Sequence, residues 1–246
     1  MKFMPVPSQE DFRKIAIDFY EIWNFPNCVG ALDGKHIRMH CPNNSGSMYF
    51  NYKGFFSIVL QALVDANYKF INIDVGGYGK QSDGGTFQAS ALYKKLTTQT
   101  LNLPGDTAFP NSDLIMPHVI IADEAYPLMK HLLKPYRKQE LNADKEYFNK
   151  RLSCARRTVE CAFGILRSKW QILDKPILTH PGHADNIIKA ICILHNVIID
   201  KEGIEHNLKE TQFVFQNENR QAPAGRLNNE AKVVRDNFKA YLCNNP

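Results

Sequence analysis

Four consecutive apolar residues, Val119-Ile120-Ile121-Ala122, stop abruptly at Asp123. A strand without alternation has no polar face to turn to water, so it belongs inside a sheet covered on both sides, and helices must do the covering. Upstream lie runs of strand character. Cys28-Val29-Gly30-Ala31-Leu32 ends at Asp33-Gly34, and residues 36–40 alternate around Ile37 and Met39. Residues 57–64 are strongly apolar up to the turn signal Asp65-Ala66-Asn67, after which 68–75 resume with Phe70, Ile71, Ile73 and Val75. These runs predict an antiparallel meander of three strands.

Helical spacing supplies the cover. Phe12, Ile15, Phe19, Ile22 and Trp23 recur at helical steps over 9–23, after the polar start Ser8-Gln9-Glu10. Residues 76–85 hold five glycines and read as a loop without Walker spacing. Helices are expected over 86–100, over 126–133, and over 149–170, where Leu152, Ala155, Val159, Phe163, Leu166 and Trp170 form a stripe. Another is expected over 184–199. The chain divides into a lead-in helix (1–25), a main α/β domain (26–200) built as a mixed sheet with flanking helices, and a polar tail (201–246). That tail is interrupted by Pro223 and Gly225 and carries one weak helix near 228–242.

Composition excludes several classes. With 246 residues, 44% hydrophobic, and only 14 Gly and 13 Pro, the chain is neither collagenous nor disordered. No apolar run approaches the roughly 20 residues of a membrane helix, and no signal-type apolar segment follows Met1-Lys2, so no membrane association and an intracellular protein are expected. The six cysteines lack any C-x-x-C pair or zinc spacing and read as free thiols. The net charge of +5 is uneven. Residues 130–175 hold twelve bases against five acids, which suits either a phosphate-facing surface or a solvated helix face.

Two carboxylates occupy informative places. Asp33 and Asp123 each close a strand-type run, and carboxyl ends of neighbouring strands open into the crevice where α/β sheets bind ligands. Glu160 lies one position off the apolar stripe of the long helix. Each acid has a plainer reading. Asp33-Gly34 suits a turn, Asp83 a glycine-rich loop, and Glu160 a pair with Arg156 four residues earlier, worth about 0.2–0.5 kcal/mol.

The wider pattern is a series of words in order: Phe25-Pro26-Asn27-Cys28-Val29-Gly30-Ala31-Leu32-Asp33-Gly34-Lys35-His36-Ile37, Asn51-Tyr52-Lys53-Gly54, Gly79-Lys80-Gln81-Ser82-Asp83-Gly84-Gly85, Ala122-Asp123-Glu124-Ala125-Tyr126-Pro127-Leu128, Lys134-Pro135-Tyr136, Ala155-Arg156-Arg157-Thr158-Val159-Glu160 and Leu194-His195-Asn196. The series resembles the nuclease domain of PIF/Harbinger-type DDE transposases and their domesticated nuclease relatives, over about residues 5–200. The resemblance implies an RNase H-like core binding two divalent cations, Mg²⁺ or Mn²⁺. It places the catalytic triad on Asp33, Asp123 and Glu160, with Asp83 as a fourth metal-touching acid, and makes DNA the substrate. It further implies a nuclear protein, with the cytoplasm as a second location, that works as a homo-oligomer or beside a Myb/SANT-like DNA-binding partner.

Phosphodiester hydrolysis requires water activation and charge neutralisation, and two cations about 3.5–4 Å apart provide both. Hard cations take oxygen ligands, and converging carboxylates raise one another's pKa until a cation arrives. Arg156, Arg157 and Arg167, on the Glu160 helix, are expected to contact phosphates, with helix-surface salt bridges as the alternative. Lys35 and His36 either orient DNA or terminate the strand, and His195 supports the core. No second helix and turn precedes Pro26 to form a reading head, so either a partner supplies sequence recognition or the protein has lost it. Two function classes stand: a metal-dependent DNA endonuclease, and a catalytically silent transposase relic that acts as a DNA-associated interaction protein.

Overall fold

The computed structural model describes residues 3–204 and 229–245. Helix α1 (Gln9–Trp23) is closed at its start by a capping box. The Ser8 hydroxyl accepts from the Asp11 amide (3.2 Å), and the Asp11 carboxylate accepts from the Ser8 amide (2.9 Å). Asn24, left-handed at φ 49°, ends it.

Strands β1 (Cys28–Arg38), β2 (Ser57–Val64) and β3 (Phe70–Tyr78) pair antiparallel in sequence order, as the meander requires. Two boundaries move. β1 does not end at Asp33-Gly34 but continues to Arg38, because β2 pairs with it from Val64 down to Ser57 and so takes up the backbone groups a turn would have satisfied. β3 runs through Gly76 and Gly77, where a loop was expected. Gly77 lies opposite Val59, and a Cβ there would meet Thr86 Cγ2 at 2.9 Å and Val59 Cβ at 3.1 Å, so close packing explains the glycine.

The helix expected over 86–100 is two: α2 (Asp83–Ala89) and α3 (Ala91–Thr97). Ser90 divides them, its extended backbone ending one while its hydroxyl donates to Phe87 O (2.7 Å) and accepts from Tyr93 N (3.1 Å). A small ribbon, β4 (Thr107–Ala108) with β5 (Ile115–Met116), follows. β6 (Val119–Ile121) is wholly buried between β1 and β7 (Leu132–Leu133) and parallel to both, giving the order β3-β2-β1-β6-β7. β7 stands where a helix over 126–133 was expected. Pro127 disfavours helical backbone at Tyr126, and Leu132-Leu133 instead extend the sheet beside Ile120-Ile121.

Three helices complete the fold: α4 (Ala143–Lys169), capped by Asn142 and starting upstream of the expected 149, then α5 (Pro181–Glu202) and α6 (Asn229–Asn244). Leu152, Ala155 and Val159 of α4 and Ile188 of α5 cover the sheet face that carries Ala31, Ala62 and Ile121. Phe12, Phe87 and Leu92 cover the other face, with Leu32, Leu63 and Ile120. The mixed sheet with helices on both faces is the expected α/β, RNase H-like arrangement. The helix assigned to the polar tail is part of this core, since Phe238 of α6 is fully buried and stacks on Phe25 (6.0 Å between rings). Pro223 and Gly225 lie outside the described residues. All six cysteines are free thiols, and among the described residues no helix is long and apolar enough to cross a membrane.

Candidate active site

The sheet register brings two acids together. Ala31 of β1 lies opposite Ile121 of β6 in the parallel pair. Two residues further along each chain the same face recurs, so Asp33 and Asp123 come side by side where β6 ends and β1 goes on alone. Asp33 is therefore not at a strand end, as expected, but at the end of its parallel neighbour. Asp123 is fixed by accepting from the Ala125 amide (2.8 Å), and Asp33 by accepting from the Gly34 amide (2.8 Å).

Helix α4 supplies the third acid. Ala155 and Val159 pack onto this sheet face, and the position after Val159 delivers Glu160 to the crevice rim. Arg156, one turn earlier, points inward with it. Its Nη2 donates to Glu160 Oε1, and its Nη1 stands 3.6 Å from Asp33 Oδ2. The plainer reading of Glu160, a pair with Arg156, is thus present, and Asp33 makes it a three-group cluster.

The electrostatics follow from burial and mutual repulsion. Burial and then the Asp33 charge push Asp123 up to about 6, against the opposing pull of Arg156. Burial likewise raises Glu160, with Arg156 resisting. Burial works against the Arg156 charge, yet Asp33, Glu160 and Asp123 together hold its pKa above the usual value. Three half-buried acids surround this guanidinium, with Lys134 adding attraction at Asp123 and Arg157 at Glu160.

The fourth expected metal position lies elsewhere. A Cβ built on Gly34 would collide with Asp83 Oδ1, and side chains alternate along β1, so Asp83 reaches the strand from the face opposite Asp33. Gly84 packs against the Ala125 carbonyl, leaving only 2.7 Å for a side chain. Asp83 therefore braces the far side of the crevice floor. The physical reason is topological: α2 follows β3 and packs against the sheet face away from α4.

The expected DNA contacts separate as well. Lys35 shares the Asp33 face of β1 by alternation, and Arg157 is exposed on α4. Arg167 pairs with Asp174 on the surface, and Arg156 is committed to carboxylates in this state.

Three further residues shape the site without having been singled out. Tyr126 is fully buried on the Asp83 side, where its hydroxyl accepts from Gln61 Nε2 (3.3 Å). Burial, then the Asp33 and Asp123 charges, hold its hydroxyl protonated far above the ordinary range. Gln61 lies directly across from Gly34 in the register. Lys134 is buried and donates to the Glu124 carbonyl (3.0 Å), pinning the loop after Asp123. Tyr126 and Lys134 stand inside the sequence words at 122–128 and 134–136, which is the only signal that marked them.

Comparison with known proteins identifies the family. A family model described as DDE superfamily endonuclease matches residues 32–196, a span containing Asp33, Asp123 and Glu160. Among curated relatives, Protein ALP1-like of Arabidopsis thaliana is 30% identical over 96% of this chain and 58% of its own length. The Arabidopsis protein named Antagonist of Like Heterochromatin Protein 1 is 27% identical over 79% of this chain and 49% of its own. HARBI1 of Rattus norvegicus, named as a candidate nuclease, is 25% identical over 81% of this chain and 54% of its own. The chain thus spans about half the length of the curated relatives it matches. No solved structure matches. The family match covers the sheet strands, the acids and the long helix that together form the crevice, and the chain belongs to the DDE superfamily endonucleases.

Proposed function

We propose that this chain is a divalent-metal-dependent DNA endonuclease in which Asp33, Asp123 and Glu160 carry the cation site. The observation that supports it is the register pair Ala31 and Ile121, which sets Asp33 beside Asp123 under Glu160, with Arg156 bridging Asp33 and Glu160. Oxygen-only donors suit Mg²⁺ or Mn²⁺, and burial with mutual repulsion raises Asp123 and Glu160, so the residues fit such ions. Among the described residues no three acidic, imidazole or thiol side chains are yet drawn tightly enough to hold one ion, because Arg156 lies between Asp33 and Glu160. Bound there, two cations would supply Lewis-acid stabilisation of the scissile phosphate and an activated water.

The protein's own groups do the rest. Arg156 keeps Asp33 and Glu160 oriented toward each other before loading, then becomes available to phosphate oxygens once the acids have other partners. The Ala125 amide and Lys134 hold the Asp123 loop. Exposed Arg157 and the Lys35 stem lie on the crevice side, where a DNA backbone would run. The substrate implies a nuclear setting, with a separate DNA-binding partner or a second copy providing site selection. The name of the Arabidopsis relative, an antagonist of a heterochromatin protein, fits a chromatin context.

The test is plasmid nicking in Mg²⁺ and in Mn²⁺, wild type against Asp123→Asn. Loss of about 10³-fold or more in the variant is expected, given that removing one member of a catalytic unit costs that order. Equal rates in the two proteins, or no nicking by either in any metal, would instead identify a silent relic.

A further inference from the structure

From Gly34 to Val64 the chain contains no aspartate or glutamate, yet it holds Lys35, Arg38 and Lys53 with His36 and His40. This acid-free stretch starts immediately after Asp33. It also exposes large apolar side chains, two of them aromatic: Tyr52 is 66% exposed, Phe50 44%, and Met48 45%. Apolar rings on the surface of a cationic segment need an explanation that covers both properties, and a solvated loop explains neither.

The segment is built rather than loose. The buried Asn51 side chain accepts from the Lys53 amide (2.9 Å) and the Phe55 amide (3.3 Å), and donates to Ser57 Oγ (2.8 Å), which in turn meets His36 Nδ1 (2.9 Å). Tyr52 packs edge-on to the His36 ring (5.7 Å) with the Lys53 ammonium 5.6 Å from its centre. The neighbouring turn is docked on it: the Lys80 amide donates to Met48 O (3.1 Å), Tyr78 meets Tyr49 edge to face, and a side chain at Gly79 would strike Tyr49 O and Ser57. An aromatic ring held in place on a positive surface is the arrangement on which unpaired bases stack while lysines follow the phosphates.

We infer that the segment around Tyr52 is a stacking platform for unpaired bases of a DNA strand, so that the chain binds single-stranded or opened DNA beside its cleavage site. This rests on the reading of DNA as substrate. His36, which anchors Tyr52, is three residues along β1 from Asp33, roughly 10 Å at strand spacing, and on the other face of the strand. The platform therefore grips the strand next to the crevice rather than inside it. Duplex DNA keeps its base faces stacked internally and offers this surface only phosphates.

Fluorescence anisotropy of a labelled oligothymidylate, measured with EDTA so that cleavage is absent, tests the platform. Tyr52→Ala is expected to weaken binding by about 5- to 150-fold, while Tyr52→Phe keeps it, since the stack needs a ring and not a hydroxyl. Lys53→Ala should lower the salt dependence by about 0.7 in log–log slope, the share of one single-strand phosphate. Duplex binding should barely change in Tyr52→Ala. Wild-type protein that ignores the oligonucleotide, Tyr52→Ala that binds as wild type, or equal weakening toward duplex would each overturn the inference. Failure of the nuclease reading looks different: Asp123→Asn would then nick plasmid like wild type, while the Tyr52 effects in EDTA stand or fall separately.

Discussion

Two regions of the central sheet bury polar groups in opposite ways. At the end where β2 turns into β3, Asn196 of α5 accepts from the Phe70 amide (2.8 Å) and donates to the Phe70 carbonyl (2.8 Å) and the Phe3 carbonyl (2.8 Å). Beside it, His195 bonds through Nε2 to the Tyr68 carbonyl (2.8 Å), and burial pushes its pKa down to about 4, so the ring is neutral. In the crevice, Arg156 bridges Asp33 and Glu160, and burial raises the pKa of both Asp123 and Glu160. The first region is a clamp whose groups have mostly found neutral partners inside the protein. The second crowds carboxylates whose burial and mutual repulsion are only partly offset by neighbouring cations, the setting in which the proposed cation site would lie.

Replacing Arg156 tests this contrast most severely. Arg156→Ala leaves Asp33 and Glu160 without the guanidinium that bridges them, and a loss of about 3–5 kcal/mol in urea unfolding is expected in EDTA. Much of that loss should return on adding Mn²⁺, because the carboxylates then bind metal without competition. A deficit of the same size with and without Mn²⁺ would mean the acids form a purely structural cluster.

Asn196→Ala probes the clamp in the same assay. It strands the amide and carbonyl of Phe70 in the core, so about 2–3 kcal/mol should be lost. Here Mn²⁺ should restore nothing. A metal-dependent rescue would erase the distinction between the two regions.

The smallest effect is in the pH dependence. A folded-state pKa of about 4 for His195 against 6.5 unfolded means the unfolded chain takes up a proton that the native ring refuses. The stability tied to His195 is thus fully present above pH 6.5 and is lost as pH falls toward 4, by about 2 kcal/mol between pH 7 and pH 5. The difference between wild type and His195→Gln, followed by urea unfolding across that range, should carry this slope. Parallel curves would show that the native ring takes up its proton as readily as the unfolded one.

Patterns read locally were reliable where one element sets its own boundaries. Ser8 and the Phe12, Phe19 spacing fixed α1, and the unalternating Val119-Ile120-Ile121 run could only be a covered strand. Asp65 to Asn67 marked the turn between β2 and β3 for the same reason, since turn chemistry is local. Local reading failed where a distant segment decides. Nothing near Asp33-Gly34 says that β2 will carry the strand on to Arg38, and nothing near Leu132 says that Ile120 is waiting beside it. The tail helix, polar in composition, becomes core because Phe25 and Phe109 meet Phe238 from far along the chain.

The same division runs through the site. By itself the sequence determined which acids were available and that Glu160 would ride a long helix beside its apolar stripe, because residue identity and helical period are properties of the chain alone. Tertiary structure decided their company. Strand alternation put Asp33 and Asp123 on one face and Asp83 behind the other, and α4 packing turned Arg156 inward as their shared counter-ion. Which face a side chain reaches depends on register, and register is fixed only when strands meet.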